Sequence, residues 1–250
     1  FEFLGKALKP LPEKFHGLTD QEACYRQRYV DLIMNQDTRD RFLIRIKFIR
    51  ELRHYLDNLG YMEIETPILN NKASGATARP FKAHHNALEM DVYLRIAPET
   101  YMKRAVIAGL PKVYEIGRCF RNEGLDQTHL QDFTMIEAYQ AYYNYKDNMK
   151  LIQNMLQTII QNIFGTLTIQ IGDKEVDMSG DWKSVSFREL LIKYANIDIN
   201  EYNTKEKLLA KIKEDKIELE SETPIENLGF GNLVDVLYKK VARPYMVEPV

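Results

Sequence analysis

Two β-prone runs, KVYEIGRCF (112–120) and DFTMIEAYQAYY (132–143), are separated only by the polar segment RNEGLDQTHLQ. They read as a hairpin, and its connection is long for one, which marks 121–131 as a candidate functional loop. Upstream, LEMDVYLRI (88–96) alternates: Leu88, Met90, Val92, Leu94 and Ile96 share one face, with Glu89, Asp91, Tyr93 and Arg95 on the other. That is the pattern of a half-buried strand in an antiparallel sheet. A further short run, YMEIETPIL, is β-prone and stopped by Pro67. Strands joined by hairpins, with helical segments before and after, predict an α+β fold on a mainly antiparallel sheet flanked by helices.

The helical segments carry their own punctuation. Thr19 and Glu22 have capping-box spacing and predict a helix to about Met34. The spacing of Phe42, Ile46, Ile49, Leu52, Leu56 and Leu59 predicts a long helix from about Asp37, ended by Gly60. Its arginines 39, 41, 45, 50 and 53 read as a solvated basic face. Pro98-Glu99 opens a helix to about Ala108, and another is expected from Lys146 to Phe164. A small hairpin around Gly172-Asp173 follows, then helices at 186–194, 204–213 and 225–241, the last capped by Thr223 with Pro224 in its first turn. Residues 1–20, with Pro10, Pro12, Gly5 and Gly17, read as a connecting segment. The region 180–245 offers secondary structure but no functional motif.

Composition excludes several classes. With 34 basic and 36 acidic side chains the net charge is −2, which gives no support to a strongly basic nucleic-acid-binding domain. No apolar run reaches the ~18 residues a membrane helix needs. Cys24 and Cys119 are far apart and match no metal spacing, and the pair His84-His85 would point to opposite faces of a strand, so no metal ligand set is expected. Low cysteine usage and no visible signal peptide fit a reducing compartment, the cytoplasm. Neither GxGxxG nor GxxxxGK[ST] occurs, so a Rossmann or P-loop nucleotide site is not supported. The chain begins at Phe1 rather than Met and is expected to be a processed or excised piece.

Chemistry concentrates in 112–143. Arg118, Arg121, Glu123, His129 and Glu137 cluster there, and arginine's planar fork suits phosphate. Phe133, Glu137 and Tyr139 share strand parity, with Phe133 and Glu137 roughly 13 Å apart along one face. An aromatic plate at one end and a carboxylate at the other would hold an elongated ligand with a cationic tip. Spacing alone also describes an ordinary half-buried strand whose glutamate pairs with a neighbouring arginine, and by itself somewhat favours that simpler reading.

Longer motifs shift the balance. VYEIGRCFRNEG (113–124) followed by THLQDFTMIEAY (128–139) resembles motif 2 of class II aminoacyl-tRNA synthetases in its lysyl form. FLIRIKFIRELRHYLDNLGYMEIETPIL (42–69) resembles motif 1, and ASGATARPFKAHHNALEMDVYLRIAPETYMKR (73–104) resembles the lysyl-specific core. KALKPLPEKFHGLTDQEACYRQRYVDL (6–32) is similar to the join between that family's anticodon-binding barrel and its catalytic domain. The resemblance spans residues 4–145 and weakens afterwards.

It implies the class II catalytic fold, incomplete here, with 1–20 as a linker after an absent barrel and 21–250 as a catalytic domain truncated before motif 3. It implies ATP-dependent activation of lysine and transfer to lysine tRNA. Arg121 would hold the α-phosphate and be the catalytic group; Glu123 would take the adenine amino group, His129 the outer phosphates, and Phe133 would stack on adenine. Gly75, Glu99, Glu137 and Tyr139 would surround lysine, whose two ammonium groups suit two carboxylates. Mg2+ would bridge the phosphates, and a homodimer would form through 39–67.

Leu130-Gln131-Asp132 stand where the family has Asn-Pro-Glu, and Ser74 precedes Gly75 where it has Gly-Gly. The family's motif 3, with its second ATP-binding arginine, does not follow before Val250. The isolated 250 residues are therefore expected to lack ligase activity. Two rival readings remain: a paralogue attaching a lysine-like group to an elongation factor, and a non-catalytic dimerising module. Aspartyl or asparaginyl specificity is disfavoured by the lysyl character of 73–104.

Overall fold

The computed structural model describes residues 2, 4–6, 11, 18–124, 126, 128–221 and 223–250. Most of the expected linker, including Pro10, Pro12 and Gly17, lies outside the described residues. The chain divides into two compact units, Phe1–Ile163 and Phe164–Val250.

The first unit begins with α1 (Gln21–Arg26), α2 (Arg28–Met34) and α3 (Gln36–Asn58). The single helix expected up to Met34 is thus broken. Gln27 leaves helical geometry (φ −118, ψ 54), and the turn lets Asp31 point into a buried cluster where Asn35 Nδ2 (2.6 Å), Thr38 Oγ1 (3.2 Å) and Arg28 donate to it. The cap of α1 is Asp20, which accepts from the Ala23 backbone N–H, rather than Thr19. In α3 the periodic stripe splits in exposure. Leu52 and Leu56 are buried, whereas Phe42, Ile46 and Leu59 remain exposed. Gly60, at φ +78, follows the helix as expected of a left-handed stop.

Two three-stranded sheets follow. In the first, β1 (Met62–Glu63) pairs parallel with β5 (Lys112–Phe120), which pairs antiparallel with β6 (Asp132–Gln140). In the second, β4 (Met90–Leu94) lies between β2 (Leu69–Asn70) and β3 (Lys82–His85), antiparallel to both. The expected strand at 88–96 is therefore shorter. Asn86–Leu88 form a 3-10 turn, and Glu89 adopts a left-handed conformation (φ 46) that turns β3 into β4. Helix α4 (Glu99–Ile107) follows, and α5 (Tyr145–Phe164) closes the unit. Leu56, Tyr61 and Tyr114 form its core, with Ile116, Leu151 and Met155 packed against them. The Tyr114 hydroxyl donates to Asp57 and Glu63, and burial pushes its ionisation well above the ordinary phenol range.

The second unit holds the hairpin β7 (Thr168–Ile171) and β8 (Lys174–Asp177), then α6 (Phe187–Ala195), α7 (Lys205–Glu214) and α8 (Phe230–Val241). Ser186 and Glu189 complete a capping box on α6. The last helix starts later than expected. Pro224 leads only into a 3-10 turn (Ile225–Asn227), Leu228 becomes extended and buried, and Gly229 is the cap of α8. Leu191, Ile197, Leu208, Ile212, Leu233, Val234 and Leu237 form this unit's core. Leu233→Ala is expected to cost about 2–5 kcal/mol, read as a lower denaturation midpoint for this unit at unchanged m-value.

Among the described residues every strand pairing except β1 with β5 is antiparallel. The mixed α+β expectation is met, but on three separate sheets rather than one.

Candidate functional site

The β5–β6 ladder pairs Val113 with Tyr139, Glu115 with Glu137, Gly117 with Met135 and Cys119 with Phe133. Directly opposed residues project from the same face. Along β6 the odd positions Phe133, Met135, Glu137 and Tyr139 are partly buried, while Asp132, Thr134, Ile136 and Ala138 are exposed. One face of the hairpin is therefore a floor partly covered by other parts of the unit. The hairpin stays closed one step beyond the ladder, since Arg121 N–H donates to Gln131 O at 2.9 Å.

One end of this floor collects carboxylates. Glu99 is the first residue of α4, where the helix N-terminus favours a negative charge. Gly75 (φ +89) packs against it: a Cβ there would sit 3.1 Å from Glu99 Cβ and 3.2 Å from Ala97 Cβ. Gly75→Ala combines that crowding with a strained backbone and is expected to cost about 1–3 kcal/mol of stability, measurable by chemical denaturation. The Tyr139 hydroxyl donates to Glu137 Oε2 at 3.0 Å. Burial raises the Glu137 carboxyl above the ordinary range; the Tyr139 bond opposes this, and Glu99 and Glu115 add to it. Burial, together with Glu137, likewise raises the Tyr139 phenol. Lys103 already donates to Glu99, so this end accepts an ammonium group from the chain itself.

The other end carries a cation and a ring. The Arg121 guanidinium lies 5.2 Å from the Phe133 ring centroid, and its buried Nε has no hydrogen-bond partner. An unpaired buried donor on a cation is a costly arrangement that an incoming anion would relieve.

The flanking loop is internally tied. Glu123 Oε1 accepts from the Arg79 backbone N–H (3.2 Å), and Asn122 N–H donates to Arg79 O (2.7 Å), joining the segment after Gly75 to the hairpin. His129 Nδ1 lies 2.8 Å from Asp126 Oδ2, and its side chain is exposed. Bonds from the Thr128 backbone and hydroxyl, then from His129, hold the Asp126 carboxyl far below the usual range. Leu125 and Gln127 of this loop lie outside the described residues. Asp132 meets Arg118 at 3.2 Å.

Of the residues singled out in the sequence, Gly75, Glu99, Glu137 and Tyr139 gather at one end, and Arg121 and Phe133 at the other. Glu123 borders the floor through Arg79, and His129 stands apart, turned to Asp126. Two buried residues that sequence reasoning did not select, Arg95 and Glu115, form an ion pair at the carboxylate end, where Glu115 is directly opposed to Glu137. The period-two pattern of KVYEIGRCF puts Glu115 on the inward face, but its pairing with Arg95 depends on the approach of a second sheet. Among the described residues no group of three or more His, Cys, Asp or Glu side chains is placed to hold a metal ion. No helix among them is long and apolar enough to cross a membrane.

The hairpin face thus carries an arginine on an aromatic ring at one end and Glu137, with Glu99 of α4 near it, at the other, a charge pattern complementary to a molecule with an anionic and an ammonium group. The chain belongs to the family described as "tRNA synthetases class II (D, K and N)", whose model matches residues 20–227. Its relatives include lysine--tRNA ligases of Clostridium acetobutylicum (44% identical over 248 residues), Lysinibacillus sphaericus (45% over 249) and Bacillus subtilis (43% over 249). Each alignment covers 99–100% of this chain and 48–49% of the relative, so the chain spans about half the length of the curated relatives it matches.

Proposed function

We propose that the full-length protein is a lysine–tRNA ligase, with residues 21–250 carrying part of its class II catalytic fold. The observation behind this reading is the shared floor of β5 and β6. Arg121 lies over the Phe133 ring, a pair suited to stacking an adenine and gripping a phosphate, and Glu137 lies further along the same face with Glu99 of α4 near it. The names of these three relatives, each a lysine--tRNA ligase, support the same substrate.

In this reading lysine's side-chain ammonium lies between Glu99 and Glu137, with the Tyr139 hydroxyl holding Glu137 in place and Gly75 offering its backbone. ATP lays its adenine on Phe133, with Glu123 at the adenine amino group and His129 at the outer phosphates. The lysine carboxylate oxygen attacks the α-phosphorus, forming the mixed anhydride lysyl-adenylate and expelling pyrophosphate. Negative charge grows on the α-phosphoryl oxygens during that step, and Arg121 stabilises it without any covalent enzyme intermediate. A hydroxyl of the tRNA's terminal adenosine then attacks the activated carbonyl, and AMP leaves. Magnesium, carried on the nucleotide phosphates, would neutralise their charge.

The partners follow: lysine, ATP, lysine tRNA, and a second copy of the chain through 39–67. Exposed Phe42, Leu43 and Ile46 fall on one side of α3 and support such a dimer, since large apolar side chains left exposed together suit an interaction surface. The cytoplasm is the proposed compartment. The test is lysine-dependent exchange of pyrophosphate into ATP by the full gene product, followed by a choice of acceptor. Charging of tRNA supports the reading. Transfer to an elongation factor instead would favour the paralogue, and a full-length product without exchange would favour a non-catalytic module.

A further inference from the structure

Glu115 and Glu137 are directly opposed on the floor of the site. Two carboxylates so placed do not both stay ionised easily unless one is compensated. Glu115 is compensated fully. Arg95 binds its Oε1, and Thr66 Oγ1 donates to its Oε2 at 2.7 Å. Arg95 is 3% exposed and Glu115 4%, so water does little to screen either. The guanidinium is fixed on its remaining sides. Its Nε donates to Arg118 O at 2.8 Å, and its Nη1 lies 2.9 Å from Thr66 Oγ1 and 3.2 Å from Thr66 O. The backbone of β5 makes way for it: a Cβ on Gly117 would fall 2.1 Å from Arg95 Nη2. Glu137, by contrast, commits only Oε2, to Tyr139.

We propose that Arg95 is a positioning residue that sets the charge of the amino-acid end: by cancelling Glu115 it keeps Glu137 ionised and free to bind the ligand's ammonium group. The role rests on the lysine-binding reading above and adds a residue to it. Around Glu137 stand Glu115 on β5, Glu99 and Lys103 on α4, and Tyr139 on its own strand. Burial, the Tyr139 bond and Glu99 weigh on the Glu137 carboxyl as well, but Glu115 is the one directly opposed and deeply buried, so its compensation adds to what decides whether Glu137 holds a proton. Without Arg95 the buried Glu115 charge would face Glu137 uncompensated.

The experiment follows the Glu137 carboxyl by 13C NMR in glutamate-labelled full-length protein without ligand, with Glu137→Gln to assign the signal, and measures lysine affinity against pH in parallel. Arg95→Met is expected to move the Glu137 midpoint up by about one pH unit or more and to weaken lysine binding about tenfold at neutral pH, with recovery as pH rises. Glu115→Gln leaves Arg95 uncompensated and is expected to move the midpoint down. Lysine is then weakened at every pH, because the free guanidinium repels its ammonium. The double variant, which removes both charges, is expected to return the midpoint to within a few tenths of the parent.

Opposite shifts in the two single variants, cancelled in the double, are what a purely packing role would not produce. Unmoved midpoints in folded Arg95→Met, or a double variant no closer to the parent than the singles, overturn the assignment. If Arg95→Met does not fold, Glu115→Gln and the double variant carry the test, and a Glu137 midpoint that fails to fall in Glu115→Gln overturns it. Parent protein that binds no lysine at any pH defeats the lysine reading instead, because the midpoints are read without ligand.

Discussion

Arg121→Ala in the full gene product is expected to slow lysine-dependent exchange between ATP and pyrophosphate by about 10²–10³-fold, the loss typical of one donor aimed at developing charge. Lysine affinity should change little, because Arg121 sits at the Phe133 end of the floor and the carboxylates at the other. Arg121→Lys should recover only part of the loss. A lysine ammonium keeps the charge but not the planar fork that meets two phosphoryl oxygens or lies flat on a ring. The buried, unpartnered Nε also predicts a stability signature. ATP should raise the melting temperature of the parent more than that of Arg121→Ala, because binding gives that donor its missing acceptor. Equal exchange rates in parent and Arg121→Ala would remove this residue from the mechanism.

The second large effect concerns Glu137. Glu137→Gln is expected to weaken lysine binding by about 2–5 kcal/mol, the cost of truncating one partner of a buried hydrogen-bonded charge pair. The same change should slightly stabilise the ligand-free protein. The Glu137 carboxyl is raised in the folded state, chiefly by burial, so folding disfavours its ionised form. Its ionisation therefore costs stability as pH rises from the unfolded carboxylate value through the raised folded one, and that cost persists at neutral pH. Glutamine has no such term. Lysine affinity has the opposite dependence, falling as pH drops through the raised value and the carboxyl takes up a proton. A Glu137→Gln variant that loses stability while keeping lysine affinity would contradict both halves of this expectation.

Much of the local architecture was legible because it rests on short-range periodicity. Residues 132–139 alternate in exposure as their sequence parity predicts, so Phe133 and Glu137 fall on one face. The course of α3 and its stop at Gly60 follow from apolar spacing and a left-handed glycine. What escaped depends on partners distant in sequence. The break at Gln27 exists because Asp31 needs Asn35 and Thr38 around it, a demand no helical period reveals. The start of α8 moved to Gly229 because Leu228 is drawn out of helical geometry into the interior, overriding a well-formed cap signal at Thr223-Pro224.

The site shows the same division. Gly75 and Glu99 meet through the path of the chain from β2 to α4, which only the motif resemblance anticipated. Arg95 was visible as a charged residue on a strand, yet its place between Thr66 and Glu115 is fixed by the junction of two sheets. His129 was legible as a loop histidine, but its attachment to Asp126 comes from the local turn that Asp126 builds with Thr128.

In the proposed reading the β5–β6 floor, with Glu99 of α4, binds both halves of a lysyl-adenylate. The most direct test is a structure of the full-length protein with a non-hydrolysable lysyl-adenylate analogue. The predicted result has the adenine stacked on Phe133, Arg121 on the phosphoryl group, and the side-chain ammonium between Glu99 and Glu137. An analogue bound elsewhere, or with its ammonium away from both carboxylates, would rule out this floor as the lysyl-adenylate site.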